Sequence, residues 1–428
     1  MGSEWKEVIF SEVIEINPNR ELRKGQEYPF IDMQSVEPYT RKVSNIKFRK
    51  YNGSGSKFKN GDTLFARITP CLENGKTAYV KELKSGEKGF GSTEFLVFSG
   101  KEGVTDNLFV YYLSRSQEIR EYAVKNMIGT SGRQRVDKSC FNELKINLPS
   151  LPEQQKIAAI LSAFDDKIEL NNEMNKTLEE IAQAIFKHWF IDFEFPNENG
   201  EPYKSSGGEF VDSELGPIPK GWRVKSIGEL IDFTISGDWG NDERTQEYEK
   251  KCFCIRGADF PPILRGEKTS IPVRFLKRSS FEKRRLKHGD ILIEVSGGTK
   301  GRPTGRTVFI HQNLIKQFDE SLVFSNFCRL IRGNDILNSL ILFLYLQFIY
   351  NKGKMTQYEI QSTGISNFQL KYFFENEKLV VAPIEIQKKF VNLIEPIFDR
   401  KYTFENYYLS QLRDTLLPKL ISGEIRVM

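Results

Sequence analysis

The stretch Trp5-Lys-Glu-Val-Ile-Phe-Ser-Glu-Val-Ile-Glu-Ile16 is repeated later in the chain as Trp222-Arg-Val-Lys-Ser-Ile-Gly-Glu-Leu-Ile-Asp-Phe233. Further pairs follow in the same order, and the offset between the copies grows only from 217 to 234 residues. They are Phe58–Phe65 with Leu286–Ile293, Leu108–Leu113 with Ile341–Leu346, Thr130–Gly132 with Ser362–Gly364, Phe164–Lys167 with Phe398–Lys401, and Leu178 with Leu412. A duplication on this scale predicts two copies of one structural unit.

Each copy begins with a lobe that mixes strand and helix signals. A Gly-Asp pair leads into a short apolar run at Gly61 and again at Gly289, which is typical of a turn that opens a buried strand. A second apolar segment, Leu108–Leu113 in one copy and Ile341–Leu346 in the other, is expected to form a short helix. The predicted fold class is therefore α/β (α+β), with one mixed α/β lobe in each half.

Each lobe is followed by a long amphipathic segment. Apolar side chains recur in steps of three and four, or their sums, after Pro152 and again after Pro383. The stripe comprises Ile157, Leu161, Phe164, Ile168, Leu178, Ala182 and Ile185, and then Phe390, Ile394, Ile397, Leu409, Leu412, Leu416 and Leu420. Because an isolated stripe has to be buried, we expect two long coiled-coil-like helices that pack antiparallel and hold the lobes at opposite ends in a pseudo-twofold arrangement.

These signals divide the chain into five segments. The expected boundaries are 1–150 for the first lobe, 151–192 for the first helical region, 193–220 for a connecting loop rich in Pro, Gly, Ser and Asn, 221–383 for the second lobe, and 384–428 for the second helical region.

The composition is that of a folded globular chain, with 39% hydrophobic and 28% charged residues. The chain starts without a signal-peptide pattern, and its longest strongly apolar run, Leu340–Leu346, is far shorter than the ~20 residues that cross a bilayer. The five cysteines are odd in number and scattered, which favours reduced thiols. We therefore expect a cytoplasmic protein that does not bind a membrane.

Charge is distributed unevenly along the chain. Residues 1–150 carry 24 basic and 19 acidic side chains, and residues 221–383 carry 25 and 18. The intervening 151–220 carry 6 basic and 14 acidic side chains. Two basic lobes separated by an acidic connector suit two separate contacts with a polyanion, although ordinary surface charge gives the same pattern.

A family resemblance is carried by the centre of the chain. The run Leu148-Pro-Ser-Leu-Pro-Glu-Gln-Gln-Lys-Ile157, which leads into Phe164-Asp-Asp-Lys-Ile168 and His188-Trp-Phe190, closely resembles the central helix of type I restriction-modification specificity subunits. The stretch Ser213-Glu-Leu-Gly-Pro-Ile-Pro-Lys-Gly-Trp222 is similar to that family's entry into a second target-recognition domain. With the duplicated order of lobe and helix, the resemblance covers essentially the whole chain.

The resemblance implies a non-catalytic, sequence-specific DNA-binding subunit. Each lobe would be a target-recognition domain that reads one half of a bipartite double-stranded DNA sequence. The helices would set the spacer and dock two methyltransferase subunits, and separate restriction and translocation subunits would cut unmodified DNA. S-adenosylmethionine, ATP and Mg would be held by those partner subunits, and this chain would hold no cofactor.

Two details of the helical regions are left open by the sequence. Asn171 and Asn175 fall on the apolar seam, where they either fix the helix register or face solvent. The second helix departs from the family pattern, because Pro383-Ile-Glu-Ile-Gln387 lacks the adjacent acid and amide found at Glu153-Gln154. Residue-level inferences about the start of the second helix are therefore open.

Catalytic and metal-binding motifs are weak or incomplete. Asp259-Phe-Pro-Pro-Ile263 only approximates an adenine-methyltransferase motif, and we interpret it as a turn. The glycine-rich Gly297–Gly305 lacks the Gly-Lys-Ser/Thr ending of a phosphate-binding loop. Cys252 and Cys254 have no matching pair of ligands, so we expect no metal site. The alternatives are a self-contained methyltransferase or nuclease, and a helical scaffold that does not read DNA.

Candidate DNA-binding residues lie in two matching loops of each lobe, where polar side chains suited to base edges and phosphates cluster. They are Arg67, Thr69, Asn74, Lys76, Arg133, Gln134 and Arg135 in the first lobe, and Lys300, Arg302, Arg306, Gln361, Ser362, Ser366 and Asn367 in the second. The basic runs Arg41–Lys59 and Arg274–Lys287 are expected to hold phosphates.

Candidate partner-binding residues lie on the apolar stripes of the two helical regions. They are Ile157, Leu161, Phe164, Ile168, Leu178, Ile185, Phe390, Ile394, Leu409, Leu412 and Leu416.

Overall fold

A computed structural model describes residues 5–130, 132–267, 270–297, 302–362 and 365–427, with the side chains of 361, 362 and 365 left out. The chain divides into two units, Met1–Leu170 with Tyr408–Met428, and Asn171–Tyr407. Each unit therefore contains one lobe and parts of both helical regions. Among the described residues, no helix has the length and apolar character needed to cross a membrane.

The first lobe contains twelve described strands and three helices. The strands are β1 (Lys6–Ile9), β2 (Ile14–Ile16), β3 (Glu27–Ile31), β4 (Lys47–Lys50), β5 (Ser56–Lys59), β6 (Thr63–Ala66), β7 (Thr77–Tyr79), β8 (Lys88–Gly91), β9 (Phe95–Gly100), β10 (Met127–Ile128), β11 (Arg135–Val136) and β12 (Lys145–Leu148). The helices are α1 (Phe10–Val13), α2 (Asn107–Arg115) and α3 (Gln117–Lys125).

The long helix α4 (Leu151–Phe186) ends in a π-helical turn, Lys187–Ile191, and the connecting segment holds β13 (Phe210–Val211) and β14 (Ile218–Pro219). The second-lobe strands are β15 (Arg223–Ser226), β16 (Ile231–Ser236), β17 (Lys250–Ile255), β18 (Val273–Leu276), β19 (Ile291–Glu294), β20 (Ser296–Gly297), β21 (Thr307–Phe309), β22 (Leu322–Phe324), β23 (Cys328–Gly333), β24 (Glu359–Ser362), β25 (Ile365–Phe368) and β26 (Lys378–Val381). Its helices are α5 (Phe260–Leu264), α6 (Arg278–Arg284), α7 (Gln312–Ile315), α8 (Ser339–Asn351) and α9 (Leu370–Asn376). The second helical region holds α10 (Ile384–Lys401) and α11 (Glu405–Ile421).

The two lobes share the topology of their four-stranded antiparallel sheet. In the first, β2-β9-β6-β7 form an antiparallel sheet, and in the second, β16-β23-β19-β21 form its counterpart. A second sheet is built on a parallel pair in each lobe, β3 with β8 and β17 with β22. The strand that enters each lobe pairs with the strand that leaves it, as β1 with β12 and β15 with β26. The predicted mixed α/β duplication is confirmed.

The repeated Gly-Asp turn has the same construction in both lobes. Gly61 and Gly289 adopt φ of +91° and +87°, a left-handed conformation that glycine tolerates. The following carboxylates, Asp62 and Asp290, are buried and accept the backbone N–H three residues earlier at 2.8 Å. An arginine pairs with each acid, Arg20 in the first lobe and Arg332 in the second. The turn then enters the buried strand β6 or β19, as the sequence predicts.

Each lobe has its own core, and the helical regions complete it. In the first unit, Ile157 and Leu161 pack with Leu417, Leu420 and the apolar face of α2. In the second unit, Phe390 and Ile394 belong to a core that includes α8 and Trp222. The predicted stripe is therefore buried largely against the lobes. These four stripe residues are less than 1% exposed, so the prediction that they bind a partner is wrong.

The two helical regions pack antiparallel within each unit. In the first unit, the Asp165 carboxylate of α4 and the Arg413 guanidinium of α11 form a buried ion pair. In the second, Glu179 accepts a 3.0 Å hydrogen bond from the Lys401 ammonium, and burial lowers the pKa of that lysine. The second region is not one continuous helix, because α10 and α11 are separated at Tyr402–Phe404, where Phe404 has φ of +55°.

Asn171 is a buried hydrogen-bonding group of the helix pair. Its amide nitrogen donates to the side-chain oxygen of Asn406 at 2.8 Å and to Glu405 at 3.1 Å. The solvent-facing alternative is therefore excluded for Asn171, which is 6% exposed. Asn175 donates instead to the carbonyl of Arg265 in the second lobe at 3.1 Å.

Candidate nucleic-acid interface

Three chain segments meet at one edge of the first lobe. The backbone N–H of Arg67, just after β6, donates to the carbonyl of Glu94 at 3.0 Å. The carbonyl of Arg67 accepts from the N–H of Val136 at 2.9 Å, and Thr69 donates to the carbonyl of Gln134 at 3.0 Å. The two predicted loops of the first lobe are thus side by side, so their polar side chains belong to one surface.

The second lobe repeats this backbone arrangement. The N–H of Val295, just after β19, donates to the carbonyl of Phe327 at 2.9 Å, and the N–H of Phe368 donates to the carbonyl of Val295 at 2.9 Å. Val295 therefore occupies the place of Arg67, and Phe327 the place of Glu94. The backbone frame of the two surfaces is the same, whereas the side chains differ.

Strand pairing sets three residues in line across each surface, in what we call the reading row. In the first lobe, Arg135 lies between Ile68 and Ile128. In the second, Asn367 lies between its paired residues, Ser296 and Ile360. Directly paired residues of neighbouring strands point to the same face of a sheet. Each row therefore presents a central polar side chain beside an isoleucine.

The polar members of the rows are held by neighbouring side chains. Arg135 donates Nε and Nη2 to the Glu94 carboxylate at 2.8–3.0 Å, and this contact raises the pKa of the arginine. Arg135 remains 45% exposed. Asn367 accepts a 2.7 Å hydrogen bond from the Ser296 hydroxyl through Oδ1. Both side chains are exposed but oriented.

Two predicted DNA-binding residues have a structural role instead. The Lys76 ammonium donates to the carbonyl of Met33 at 2.9 Å. Arg306 donates to the equivalent carbonyl, that of Gly257, at 2.8 Å, and pairs with Glu294 at 2.7 and 2.8 Å. Each basic side chain thus fixes a 3-10 turn to the adjacent strand. Arg306 is 7% exposed, so its predicted DNA-facing position is wrong.

The two basic runs that are predicted to hold phosphates contain both buried and exposed residues. Arg41 is buried and pairs with Asp166 and Glu169 of α4 at 2.5 and 2.9 Å. Arg274 is buried against the Trp239 ring and donates to the carbonyl of that residue at 2.8 Å. Both arginines are less than 5% exposed, so the prediction that they hold phosphates is wrong at these two positions. The four residues of β4 are exposed, and their contact with phosphates stays a prediction.

The remaining candidates that the structure describes lie at or beside the two surfaces. Asn74, Arg133 and Arg302 are exposed, whereas Thr69, Gln134 and Ser366 are half-buried. Lys300 and the side chains of Gln361 and Ser362 lie outside the described residues.

Three exposed apolar residues at these surfaces were missed by the sequence reasoning. Ile128 and Ile360 are 75% and 54% exposed, and Phe327 is 54% exposed. Phe327 borders a cleft of about 640 Å³ that Trp239 also lines. Apolar residues within a strand usually belong to the core, so the sequence pattern did not predict that these residues are exposed. The feature that could have indicated it is the position of both isoleucines close to the duplicated Thr-Ser-Gly and Ser-Thr-Gly loops.

Among the described residues, no group of three or more His, Cys, Asp or Glu side chains could hold a metal ion. Cys252 and Cys254 are buried as free thiols, and burial raises the pKa of Cys252 to about 12. Asp259 caps its own 3-10 turn and pairs with Arg256, and the prolines after it start α5. The motif that approximates a methyltransferase sequence is thus part of the lobe framework.

Comparison with known proteins agrees with the duplicated fold. The family model for the type I restriction modification DNA specificity domain matches residues 2–180 and 219–413. The chain is 29% identical to the type I restriction enzyme MjaIX specificity subunit of Methanocaldococcus jannaschii, over 86% of this chain and 79% of that protein. It is 24% identical to the HindI specificity subunit of Haemophilus influenzae, over 90% of each.

A solved structure supports the same fold. The type I restriction-modification S subunit from M. genitalium aligns with a TM-score of 0.53 at 18% identity, covering 97% of this chain and 96% of that one. The two family-model matches together cover well over half of the chain and fall on its two halves. The chain therefore belongs to the family of type I restriction-modification DNA specificity domains, and it carries two copies of that domain.

Proposed function

We propose that this chain is the sequence-reading subunit of a type I restriction-modification complex and that each lobe reads one half of a bipartite double-stranded DNA target. The observation that carries the proposal is the pair of reading rows. The backbone hydrogen bonds at Arg67 recur at Val295, with Glu94 and Val136 replaced by Phe327 and Phe368, whereas Arg135 in one row corresponds to Asn367 in the other. A constant frame with unlike side chains suits the reading of two unlike half-sites.

The charge of the lobes supports contact with DNA phosphates. Both lobes carry more basic than acidic residues. In the first lobe, the exposed strand Lys47–Lys50 supplies three cations, and Arg133 is exposed in the loop beside the reading row. Exposed cations that flank a base-reading surface are the usual means of fixing register on the duplex.

The chemistry of the complex is assigned to other subunits. As a specificity subunit, this chain is neither the methyltransferase nor the nuclease. Two methyltransferase subunits would supply S-adenosylmethionine, and restriction subunits would supply ATP-driven translocation and Mg-dependent cleavage. The complex would act in the cytoplasm, where its DNA substrate is present.

The helical regions offer exposed apolar side chains for the methyltransferase subunits. In the first unit, Leu170 and Leu412 are 51% and 54% exposed, and in the second, Met174 and Ile181 are 37% and 42% exposed. Leu412 is one of the residues that the sequence predicts to bind a partner. We expect Leu412→Glu and Ile181→Glu to reduce methyltransferase retention in co-purification. Leu215→Glu, which alters a 48% exposed leucine of the connecting segment, is the control and should retain both subunits.

Lobe exchange tests the DNA-reading function. The chain is reconstituted with its methyltransferase subunits, and residues 5–150 are replaced by the corresponding lobe of a relative. Sequencing of methylated adenines should show one half-site changed and the other unchanged. A change in both half-sites would contradict separate reading by the lobes. An assembled complex that binds DNA without sequence preference would support the scaffold alternative, and methylation by the isolated chain would support the enzyme alternative.

A further inference from the structure

The two reading rows share an exposed isoleucine at the same place. In both lobes, an exposed isoleucine pairs directly with the polar residue at the centre of the row, as Ile128 with Arg135 and Ile360 with Asn367. Single exposed apolar residues are common on protein surfaces. These two, however, lie at equivalent strand positions in two lobes whose sequences have diverged. They lie on the antiparallel strand pairs β10-β11 and β24-β25, the second of which is joined by the short strand β20. An antiparallel pair of strands fits the DNA major groove.

The hydrogen bonds of Arg135 leave one end of its guanidinium for a ligand. A guanidinium has five N–H donors in a planar fork. Glu94 accepts from Nε and Nη2, so the Nη1 end and the outer N–H of Nη2 point away from that carboxylate. Two such N–H groups match the O6 and N7 acceptors that guanine presents in the major groove. The ion pair with Glu94 also limits the rotamers that binding would have to order.

Asn367 offers a different pattern. Its Oδ1 accepts one hydrogen bond from Ser296, which leaves a second lone pair on that oxygen and orients the amide nitrogen as a donor. One acceptor and one donor side by side match N6 and N7 of adenine. The second lobe has Phe327 where the first has Glu94, so it lacks the acid that holds an arginine at this place.

We propose that Arg135 reads a guanine in the half-site of the first lobe and that Asn367 reads an adenine in the half-site of the second, with Ile128 and Ile360 packing on the neighbouring base pair. This inference rests on the proposed function, because it requires the rows to face DNA. It assigns a base to each row from the donors and acceptors that the row leaves open.

Base analogues that lack one acceptor provide the test. The chain assembled with its methyltransferase subunits is titrated with its target duplex, in which each guanine of the first half-site is replaced in turn by 7-deazaguanine. One position should lose about 5- to 150-fold in affinity, which corresponds to the usual discrimination of a bidentate contact. The complex with Arg135→Ala should bind the modified and unmodified duplexes equally at that position. The same scheme applies to 7-deazaadenine and Asn367→Ala in the second half-site.

Several outcomes would overturn the inference. They are a first half-site without a sensitive guanine, a second half-site without a sensitive adenine, and a sensitivity that persists in the alanine variants. If the complex binds its target specifically and neither alanine variant changes this binding, the base assignment is wrong and the proposed function stands. If the unaltered complex shows no sequence preference, the proposed function itself is contradicted.

Two further variants guard against effects on folding. If Arg135→Ala fails to assemble, Glu94→Gln is tested in its place. This variant keeps the shape of the residue that holds Arg135 and removes its charge, so it should weaken the same guanine discrimination. Lys125→Ala removes an exposed cation of α3 in the same lobe and should leave the discrimination at every base unchanged.

Discussion

Gln387 makes in the second unit the three hydrogen bonds that Gln154 makes in the first. The Gln154 Oε1 accepts from the N–H of Asp106 at 2.9 Å, and its Nε2 donates to the carbonyls of Val104 and Pro149 at 3.1 and 3.0 Å. Asp106 is the N-cap of α2, so this buried amide ties the start of the long helix to the start of a lobe helix.

The equivalent contacts hold the second helical region. Gln387 accepts from the N–H of Asn338, the N-cap of α8, at 2.9 Å, and donates to the carbonyls of Ile336 and Ala382 at 2.9 and 2.8 Å. The second copy therefore departs from the family pattern at the neighbouring acid, Glu153, and keeps the glutamine contact. The start of the second helix, left open by the sequence, is thus fixed in the same way as the first.

Removal of either glutamine should destabilise its unit. In Gln154→Ala or Gln387→Ala, the partly buried N–H of the cap residue loses its side-chain acceptor. A fully buried polar group left unpaired costs roughly 1–3 kcal/mol, which is the upper bound for this contact. Urea unfolding monitored by circular dichroism would measure the decrease. Gln155→Ala and Lys388→Ala, at exposed neighbouring positions, are matched controls. Equal stability of the buried and exposed variants would show that the contact does not contribute.

Replacement of Arg133 should weaken DNA binding without changing base preference. Arg133 is exposed beside the reading row and is predicted to bind a phosphate. Each phosphate that a protein neutralises adds ~0.9 to the steepness of log affinity against log salt on duplex DNA, so the variant should show a slope that is shallower by that amount. Titration of the assembled Arg133→Ala complex at several salt concentrations would measure this slope. An unchanged slope and affinity would exclude the phosphate interaction.

Lengthening the helical regions should lengthen the DNA spacer. Seven residues inserted in α4 between Leu170 and Asn171, and seven in α11 between Tyr407 and Tyr408, preserve a seven-residue seam and add about 10 Å of helix. That length corresponds to about three base pairs at ~3.4 Å each. Methylation sequencing should show unchanged half-sites with a longer spacer. A lengthened complex that still recognises the original spacer would contradict the prediction that the helices set the spacer length.

Stability should fall in mildly acidic solution because of His311. Burial, and then the nearby His288, lower the pKa of this side chain below its usual 6.5, although Asp399 opposes the shift and Lys316 adds to it. The unfolded chain therefore binds the proton more tightly than the folded chain, so this contribution to stability is complete above pH ~6.5 and is lost as the pH falls below that value.

The variant His311→Asn removes the proton-binding group and keeps an acceptor for the N–H of Asn313, which donates to His311 Nδ1 at 3.2 Å in the unaltered chain. The difference in unfolding free energy between pH 7.5 and pH 5.5 should be smaller in this variant than in the unaltered chain. His188→Asn, at an exposed position, is the control. An undiminished pH dependence in His311→Asn would assign the effect to another group.

The duplicated architecture follows from the amino-acid sequence alone. Strand entry at Gly61 and Gly289 depends on local turn chemistry, because a left-handed glycine and a buried acid make the same contacts in both copies. The long helix α4 follows from apolar spacing, which depends on the period of the helix alone, whereas the break between α10 and α11 has no counterpart in that spacing. The runs that start at Leu148 and at Ser213, taken with the duplicated order of lobe and helix, carry the family resemblance. Each of these signals is carried by residues close together in the chain.

Which basic and apolar residues face outward depends on the tertiary structure. Lys76 and Arg135 are both cations in predicted loops. In the structure, the Lys76 ammonium donates to the carbonyl of Met33, whereas Arg135 is exposed and oriented by the Glu94 carboxylate. Ile128 resembles a core residue in the sequence, yet no strand covers it in the part of the chain that is described. Charge and hydrophobicity belong to the residue, whereas exposure and hydrogen-bond partners depend on segments distant in sequence.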